Sequence, residues 1–405
     1  MRPLRLSLFG VMLAAAGLPL YIHLPRFASV HLGLELATLG GLLMLLRIID
    51  LVQDPLLGWI ADRFSTAHGW LALIASVGLA IGFPLVFSVA QGLGGLVFGL
   101  VVLFTAYSLG MVLIYARSTV LAGGADTVAL TRMASYREAG LLFGVILAAL
   151  APDLLSQISA ETDGYAVFGW VMVVICLLCA LLCRPIWKEH PAKTDPLTWG
   201  ALTKAKATGI VLLYLVNSLP VALTATLFLF FVEDHLHLPG QAGGFLVLFF
   251  LAAAVSVPVW RRVSDYLGIR KTLLIAMSLA IVSFAGAAGL SAGHGLAFAV
   301  ICIASGAASG ADLLLLPVMF SRALARQGLN AGLAFGIWSG AGKLALALAA
   351  FVALPLLDWA GFQPGRINDA TGQRALVFAY AILPLFLKLL AIGLVLSLPK
   401  SETSS

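Results

Sequence analysis

The sequence predicts an all-α integral membrane protein of twelve transmembrane helices in two related six-helix bundles. Three observations carry that expectation. Of 405 residues, 61% are hydrophobic and only 10% charged, against about 25% charged in a soluble domain. Apolar runs of roughly 20 residues, long enough to cross a bilayer, recur along the whole chain. Ionisable residues in the two halves repeat at nearly one offset. The 24 Lys and Arg and 18 Asp and Glu are too few to cover a soluble protein of this length, which excludes a soluble enzyme and a disordered chain. The net charge of +6 does not indicate a nucleic-acid partner, because the basic residues sit in short loops between apolar runs.

The expected spans are residues 5–28, 36–60, 69–90, 94–118, 134–155, 165–185, 207–232, 242–262, 271–290, 295–320, 331–356 and 374–398. The first follows Arg2 and Arg5 and reads as a retained span rather than a cleaved signal, since the same type of run recurs throughout. The second carries the densest charge. The sixth holds Cys176, Cys179 and Cys183, read with Cys302 as small apolar filler rather than a redox or metal site. A long polar loop follows it. The chain therefore divides into an N-terminal bundle (1–185), a middle loop (186–206), a C-terminal bundle (207–399) and a short tail (400–405). Span 10 contains Ser305–Gly310, a stretch of small residues that allows close helix approach. Span 12 carries Lys388, read as a snorkelling or helix-pairing cation.

Loop charge sets the expected orientation. With both termini and the even-numbered loops on one side, seventeen cations fall there, from Arg2 and Arg5 to Arg326 and Lys400. Only Arg26, Arg366 and Arg374 fall opposite. The first side is then cytoplasmic, by the excess of Lys and Arg.

The internal repeat is visible at three pairs. Asp62 and Asp265 end spans 2 and 8, Arg117 and Arg322 end spans 4 and 10, and Arg137 and Lys343 lie in spans 5 and 11. Three pairs with nearly one offset argue for two related halves of six helices. Two such halves with a polar middle loop resemble the major facilitator superfamily. Gly58-Trp59-Ile60-Ala61-Asp62-Arg63 matches that superfamily's cytoplasmic Gly-x-x-x-Asp-Arg pattern, partly echoed at Val263 to Lys271. The resemblance implies alternating access. Asp62, Arg63, Arg117, Asp265 and Arg322, with Arg47 deeper in span 2, are then gating residues. Their acids are expected to pair with basic residues at the cytoplasmic helix ends.

Ionisable residues at membrane depth are expensive and call for a function. In Arg47-Ile48-Ile49-Asp50-Leu51-Val52-Gln53-Asp54-Pro55, steps of three and four place Arg47, Asp50 and Asp54 on one helix face, with Gln53 at its edge. Two carboxylates and an amide oxygen are hard ligands for a small cation. The same acids can instead share a proton or form a structural pair with Arg47. The corresponding face of span 8, Ala253 to Val257, has no acid, so a cation site belongs to the N-terminal half.

The stretch from Leu46 to Ile60 resembles the signature of the glycoside–pentoside–hexuronide:cation symporters, the melibiose permease family. Arg47, Asp50, Asp54, Pro55, Gly58 and Trp59 are all in register. The resemblance implies Na⁺, Li⁺ or H⁺ bound by Asp50, Gln53 and Asp54, with Ser108 from the Tyr107-Ser108 pair completing the site. It also implies a solute site including Tyr115, Arg137 and Lys343. Ala14 and Met111 stand where melibiose-type members carry acids, so a galactoside is not implied.

The wider set of pocket residues is Tyr21, Tyr107, Tyr115, Arg137, Glu138, Asn217, Asp312, Trp338 and Lys343. Aromatic planes cover sugar faces, and two cations can clamp an anion. Equally, Arg137 can pair with Glu138 or Asp54, and Lys343 with Asp312, leaving no solute role. The leading expectation is a cation-coupled symporter of a sugar or sugar-acid-like solute in a bacterial inner membrane. The alternative is a carrier or exporter of a non-sugar organic anion or an amphipathic lipid-like substrate. No cofactor is expected beyond the coupling ion, and no partner beyond a small-molecule substrate and the lipid bilayer, the chain acting as a monomer. An enzyme is not expected, because no nucleophile motif, phosphate loop or clustered histidines occur. A sensor would need an output domain, for which the tail after Pro399 leaves no room.

Overall fold

The computed structural model describes residues 2–21, 24, 36–89, 92–158, 164–188, 199–363, 365–366 and 368–398. Among these residues the regular elements are helical. In chain order they are α1 (Arg2–Tyr21), α2 (Leu36–Arg63), α3 (His68–Pro84), α4 (Gly92–Ala122), α5 (Thr127–Ile158), α6 (Gly164–Leu182), the short α7 (Trp199–Lys204), α8 (Ala207–Phe230), α9 (Ala242–Leu267), α10 (Ile269–Ala285), α11 (Gly295–Arg326), α12 (Gly332–Trp359), α13 (Ala370–Val377) and α14 (Leu383–Ser397).

A lipid environment offers no water to backbone N–H and C=O groups, so only helices that bond internally are stable there. Wider π-turns at Leu85–Val89, Phe231–His235 and Phe378–Ile382 extend three spans. The last joins α13 to α14, and its Tyr380 carbonyl lies four residues before Pro384, which has no N–H to return. Among the described residues, eight helical segments are long and apolar enough to cross a membrane. The all-α architecture expected from the sequence is therefore observed among the described residues, with α1–α6 before the short α7 and α8–α14 after it.

Two compact units are present: Met1–Ala201 with Leu324–Gly340, and Leu202–Ala323 with Ala341–Ser405. In the first, α1 lies along α5, α3 packs on α4 and α6, and α2 packs on α4. Lipid tails are as apolar as leucine, so such packing depends on close backbone approach rather than on the hydrophobic effect. Gly140 shows how close. A Cβ there would stand 2.1 Å from the Ser7 carbonyl oxygen. The thiols of Cys179 and Cys183 point to the carbonyls of Leu8 and Arg5 at 3.8 and 3.3 Å, fastening α6 to α1. All four cysteines are buried and free.

In the second unit, α14 packs on α8 and α10, and α9 packs on α10. The small residues of α11 meet α9 closely. A Cβ at Gly306 would lie 2.3 Å from the Phe249 carbonyl oxygen. Phe231 stacks on Tyr380 at 3.9 Å in the aromatic core. At one end, His235 bonds Gln373 at 2.8 Å and the Leu290 carbonyl at 3.0 Å, and Asp234 accepts from the Gly365 amide at 2.9 Å. Several hydroxyls inside both units are satisfied locally: Ser76, Thr131, Ser218 and Ser305 each donate to the carbonyl four residues back.

Candidate functional site

The acids of α2 lie inside the first unit. Asp50 is 1% exposed and Asp54 0%, one helical turn apart. Pro55 follows at once. It withholds an N–H from the Leu51 carbonyl and so leaves an extra oxygen beside the acids. The Gln53 amide donates to Asp50 Oδ1 at 3.4 Å. Gln53 Oε1 accepts from Thr105 of α4 at 3.1 Å. Asp54 Oδ2 accepts from Ser339 of α12 at 2.5 Å. Ser108 is buried one turn beyond Thr105. Thr105 and Ser339 were not among the sequence candidates. Thr105 was findable, since it lies three residues before Ser108 on the same face of α4. Ser339 was not, because helix periodicity does not say which helices meet. Among the described residues no three His, Cys, Asp or Glu side chains cluster, so a cation here would rest on two carboxylates and neutral oxygens. The side chains of Arg47 and Tyr21 lie outside the described residues.

A second cluster lies around Arg137 of α5, also nearly without exposure. Its Nε donates to Glu138 Oε1 at 2.8 Å, Nη2 stands 2.8 Å from the same oxygen, and Nη1 donates to the Ser118 hydroxyl at 2.7 Å. The guanidinium sits 4.0 Å above the Tyr115 ring, a cation–π contact strengthened by exclusion of water. The Tyr115 hydroxyl reaches Glu138 at 3.4 Å. Tyr115 stacks on Phe335 at 5.2 Å, and Phe335 meets buried Trp338 edge-on at 6.3 Å. Of the two sequence alternatives for Arg137, the Glu138 pair is the one formed. Tyr107 is half-buried, with its ring against Gly17.

At the end of α2, Asp62 accepts from the main-chain amides of Gly332 and Leu333 at 2.7 and 2.8 Å. It thereby caps the start of α12 from another helix, supplying acceptors to otherwise orphaned N–H groups. The expected partner was a basic side chain. Among the described residues these two amides are its hydrogen-bond donors. The reason is contact distance: a Cβ at Gly58 would lie 2.4 Å from the Gly332 carbonyl oxygen, and one at Gly336 2.4 Å from the Asp54 carbonyl oxygen. With glycine at these positions, the Asp62 carboxylate reaches the helix start itself. Arg63 is exposed. Arg117 is buried, donates to the Ile186 carbonyl, and lies 5.7 Å over the Trp187 ring. That places it against the segment that ends α6.

In the second unit, Lys388 of α14 reaches inward. Its Nζ donates to Asp312 Oδ2 at 2.5 Å and to Asn217 Oδ1 at 2.8 Å. Asn217 and Asp312, expected among the pocket residues, are both spent on this cation. The expected alternative partner of Asp312 was Lys343. Lys388 takes that place, because α14 packs on α8, which carries Asn217. Lys343 is half-buried, Arg322 is buried and Asp265 is exposed. A small cavity of about 70 Å³ borders Lys388, between Pro220, Phe249, Phe284 and Ser305.

Comparisons with known proteins agree with this architecture. A family model described as MFS/sugar transport protein matches residues 6–399. A Bacillus subtilis (strain 168) protein named as the uncharacterized symporter YnaJ is 24% identical over 402 residues, covering 91% of this chain and 85% of that protein. Among solved structures, a bacterial homologue of the iron transporter ferroportin in its outward-facing state aligns with a TM-score of 0.73 at 16% identity, covering 98% of both chains. The human organic anion transporter MFSD10 (TETRAN) aligns with a TM-score of 0.68 at 16% identity, covering 97% of this chain and 98% of that one. At such identities these two show the fold alone.

Proposed function

The chain belongs to the MFS/sugar transport protein family, and from that premise we propose that it is a cation-coupled symporter of a sugar or sugar-acid-like solute, of the melibiose permease kind. Membership makes it a membrane transporter. The coupling and the solute are the proposal. One observation carries it: two fully buried carboxylates one turn apart on α2, with neutral oxygen groups of Gln53 and Thr105 beside them. Like charges so close destabilise each other unless a proton or cation intervenes. Hard oxygen donors favour Na⁺, Li⁺ or H⁺ in that position.

The mechanism follows from what the site holds together. Asp54 binds Ser339 and Asp62 binds the amides of Gly332 and Leu333, so α2 grips the first two turns of α12 at two levels. A cation entering at Asp54 competes with the Ser339 hydroxyl for the carboxylate. Ion occupancy thereby changes the grip of α2 on α12. Solute recognition falls to the Tyr115, Arg137, Glu138 and Trp338 cluster, where an ion pair beside aromatic faces suits polyhydroxylated rings. The positive charge of Arg137 is already balanced by Glu138, which favours a neutral or weakly acidic sugar over a strong organic anion. The excess of basic residues at the helix ends supports cytoplasmic termini and an inner-membrane location.

The test is thermal unfolding of the full chain in detergent, with Na⁺, Li⁺ or choline at fixed ionic strength, with and without a panel of sugars and uronates. Na⁺ or Li⁺ should raise the melting temperature of the native protein by a few degrees, as for a ligand well above its Kd. Asp54→Asn should abolish that rise. A full cation response in Asp54→Asn, or no response to Na⁺, Li⁺ or pH in the native chain, refutes the coupling site.

A further inference from the structure

The carboxamide of Gln53 on α2 bridges two groups of the first unit. Its Nε2 donates to Asp50 Oδ1 at 3.4 Å, and its Oε1 accepts from the Thr105 hydroxyl of α4 at 3.1 Å. Gln53 and Thr105 are both half-buried. The hydroxyls of Ser76, Thr131, Ser218 and Ser305 donate within their own helices. Thr105 instead gives its proton to a side chain of another helix.

The direction of the amide follows from charge. An ionised carboxylate only accepts hydrogen bonds, so it draws the N–H end of the amide. A metal ion or a proton on that acid is served by the other end, the carbonyl oxygen. The amide therefore has to turn over when Asp50 is neutralised. A group at position 105 that only donates would hold the first orientation, and one that only accepts would hold the second. A hydroxyl serves both, donating to Oε1 before turnover and accepting from Nε2 after it. We propose that Thr105 is a positioning residue of the coupling site: its hydroxyl holds the Gln53 amide with the N–H end towards ionised Asp50, and with the oxygen towards Asp50 once an ion is bound there. The proposal rests on the coupling reading above and adds to it how the neutral ligand is brought to the ion.

The experiment is a titration of the full-length chain in detergent with Na⁺, balanced by choline at fixed ionic strength. The dissociation constant is taken from the dependence of the melting temperature on Na⁺ concentration. Thr105→Val keeps the shape and removes the hydroxyl, and should raise that constant by about fivefold, the worth of one hydrogen bond. Thr105→Ser keeps the hydroxyl and should stay within about twofold of the native chain. Gln53→Met should weaken Na⁺ binding at least as much as Thr105→Val. Adding Thr105→Val to Gln53→Met should cost nothing more, because Thr105 acts through the amide. In infrared difference spectra, Na⁺ should shift an amide carbonyl band that is missing in Gln53→Met. If Thr105→Val binds Na⁺ as the native chain does, if the two losses add, or if no such band shifts, the proposal is overturned while the native Na⁺ response leaves the coupling reading standing. A threonine that only supports packing would lower the melting temperature equally in both salts with Na⁺ affinity unchanged, which overturns it as well. A native chain indifferent to Na⁺, Li⁺ and pH sinks both.

Discussion

The two units bury charge in different ways. In the second, Asp312 accepts from Lys388, which also donates to Asn217. In the first, the acids of α2 accept hydrogen bonds from an amide and a hydroxyl, at Gln53 and Ser339. A matched pair balances its own charge, and no ion needs to enter or leave for it to persist. Neutral donors such as the Gln53 amide and the Ser339 hydroxyl do not cancel a carboxylate's charge, as the proposed coupling requires. The repeat that relates the halves places no acid on the face of α9 that corresponds to Asp50 and Asp54. Its Ser256 hydroxyl instead donates to the carbonyls of Ala253 and Ala307. The proposed coupling would use this asymmetry, with the ion held by the half that carries the neighbouring acids.

The largest effect should come from opening the closed pair. Lys388→Met leaves Asp312 buried without its cation. Breaking such a pair from one side costs about 3–5 kcal/mol, read as a large drop in melting temperature in detergent. The double variant Lys388→Met/Asp312→Leu should recover most of that loss, because two apolar residues of similar size replace two desolvated charges. If the single variant is as stable as the native chain, the pair does not serve as an electrostatic closure and the contrast fails. Asp54→Leu should behave differently. It removes one of two neighbouring like charges but also the acceptor of Ser339, so stability in cation-free buffer should fall far less than in Lys388→Met, while the Na⁺ response disappears.

An intermediate effect is expected at Ser339. Ser339→Ala removes a hydrogen bond to a charged acceptor, worth about 1.5–3 kcal/mol in general. If the cation replaces the hydroxyl at Asp54, the loss should show in choline and shrink in Na⁺. Equal losses in the two salts would mean that the hydroxyl and the ion do not compete.

How far this could be read from sequence differs between fold and site. Apolar runs and loop charge are one-dimensional signals, so the succession of spans, the small-residue stretch at Ser305–Gly310 and the buried face of α2 were all legible. Partners across helices were not. Periodicity places Asp312 on a face of α11 but does not say whether Lys343 or Lys388 meets it. Packing of α14 against α8 decided for Lys388. Likewise the Gly-x-x-x-Asp-Arg pattern marked Gly58 and Asp62 as important. Only the approach of α2 to α12, with Gly332 and Gly336 facing it, shows Asp62 acting as a helix cap rather than an ion-pair member. The π-turns carried no sequence signal beyond Pro84 and Pro384 nearby.

The smallest effect is expected at that cap, and it separates the two levels at which α2 holds α12. Asp62→Ala leaves the amides of Gly332 and Leu333 without their acceptor. Loss of a capping side chain costs about 0.5–2 kcal/mol. Asp62→Asn keeps one acceptor oxygen and should cost less than half of that. The Na⁺ response should survive both substitutions, since the proposed ion site at Asp54 lies two turns away on the same helix. Exchange of the amide hydrogens at residues 332–335 should accelerate in Asp62→Ala, because the first turn of α12 opens more often once uncapped. Unchanged exchange there, with unchanged stability, would mean that the cap is supplied by another group and that Asp62 does not fasten α12.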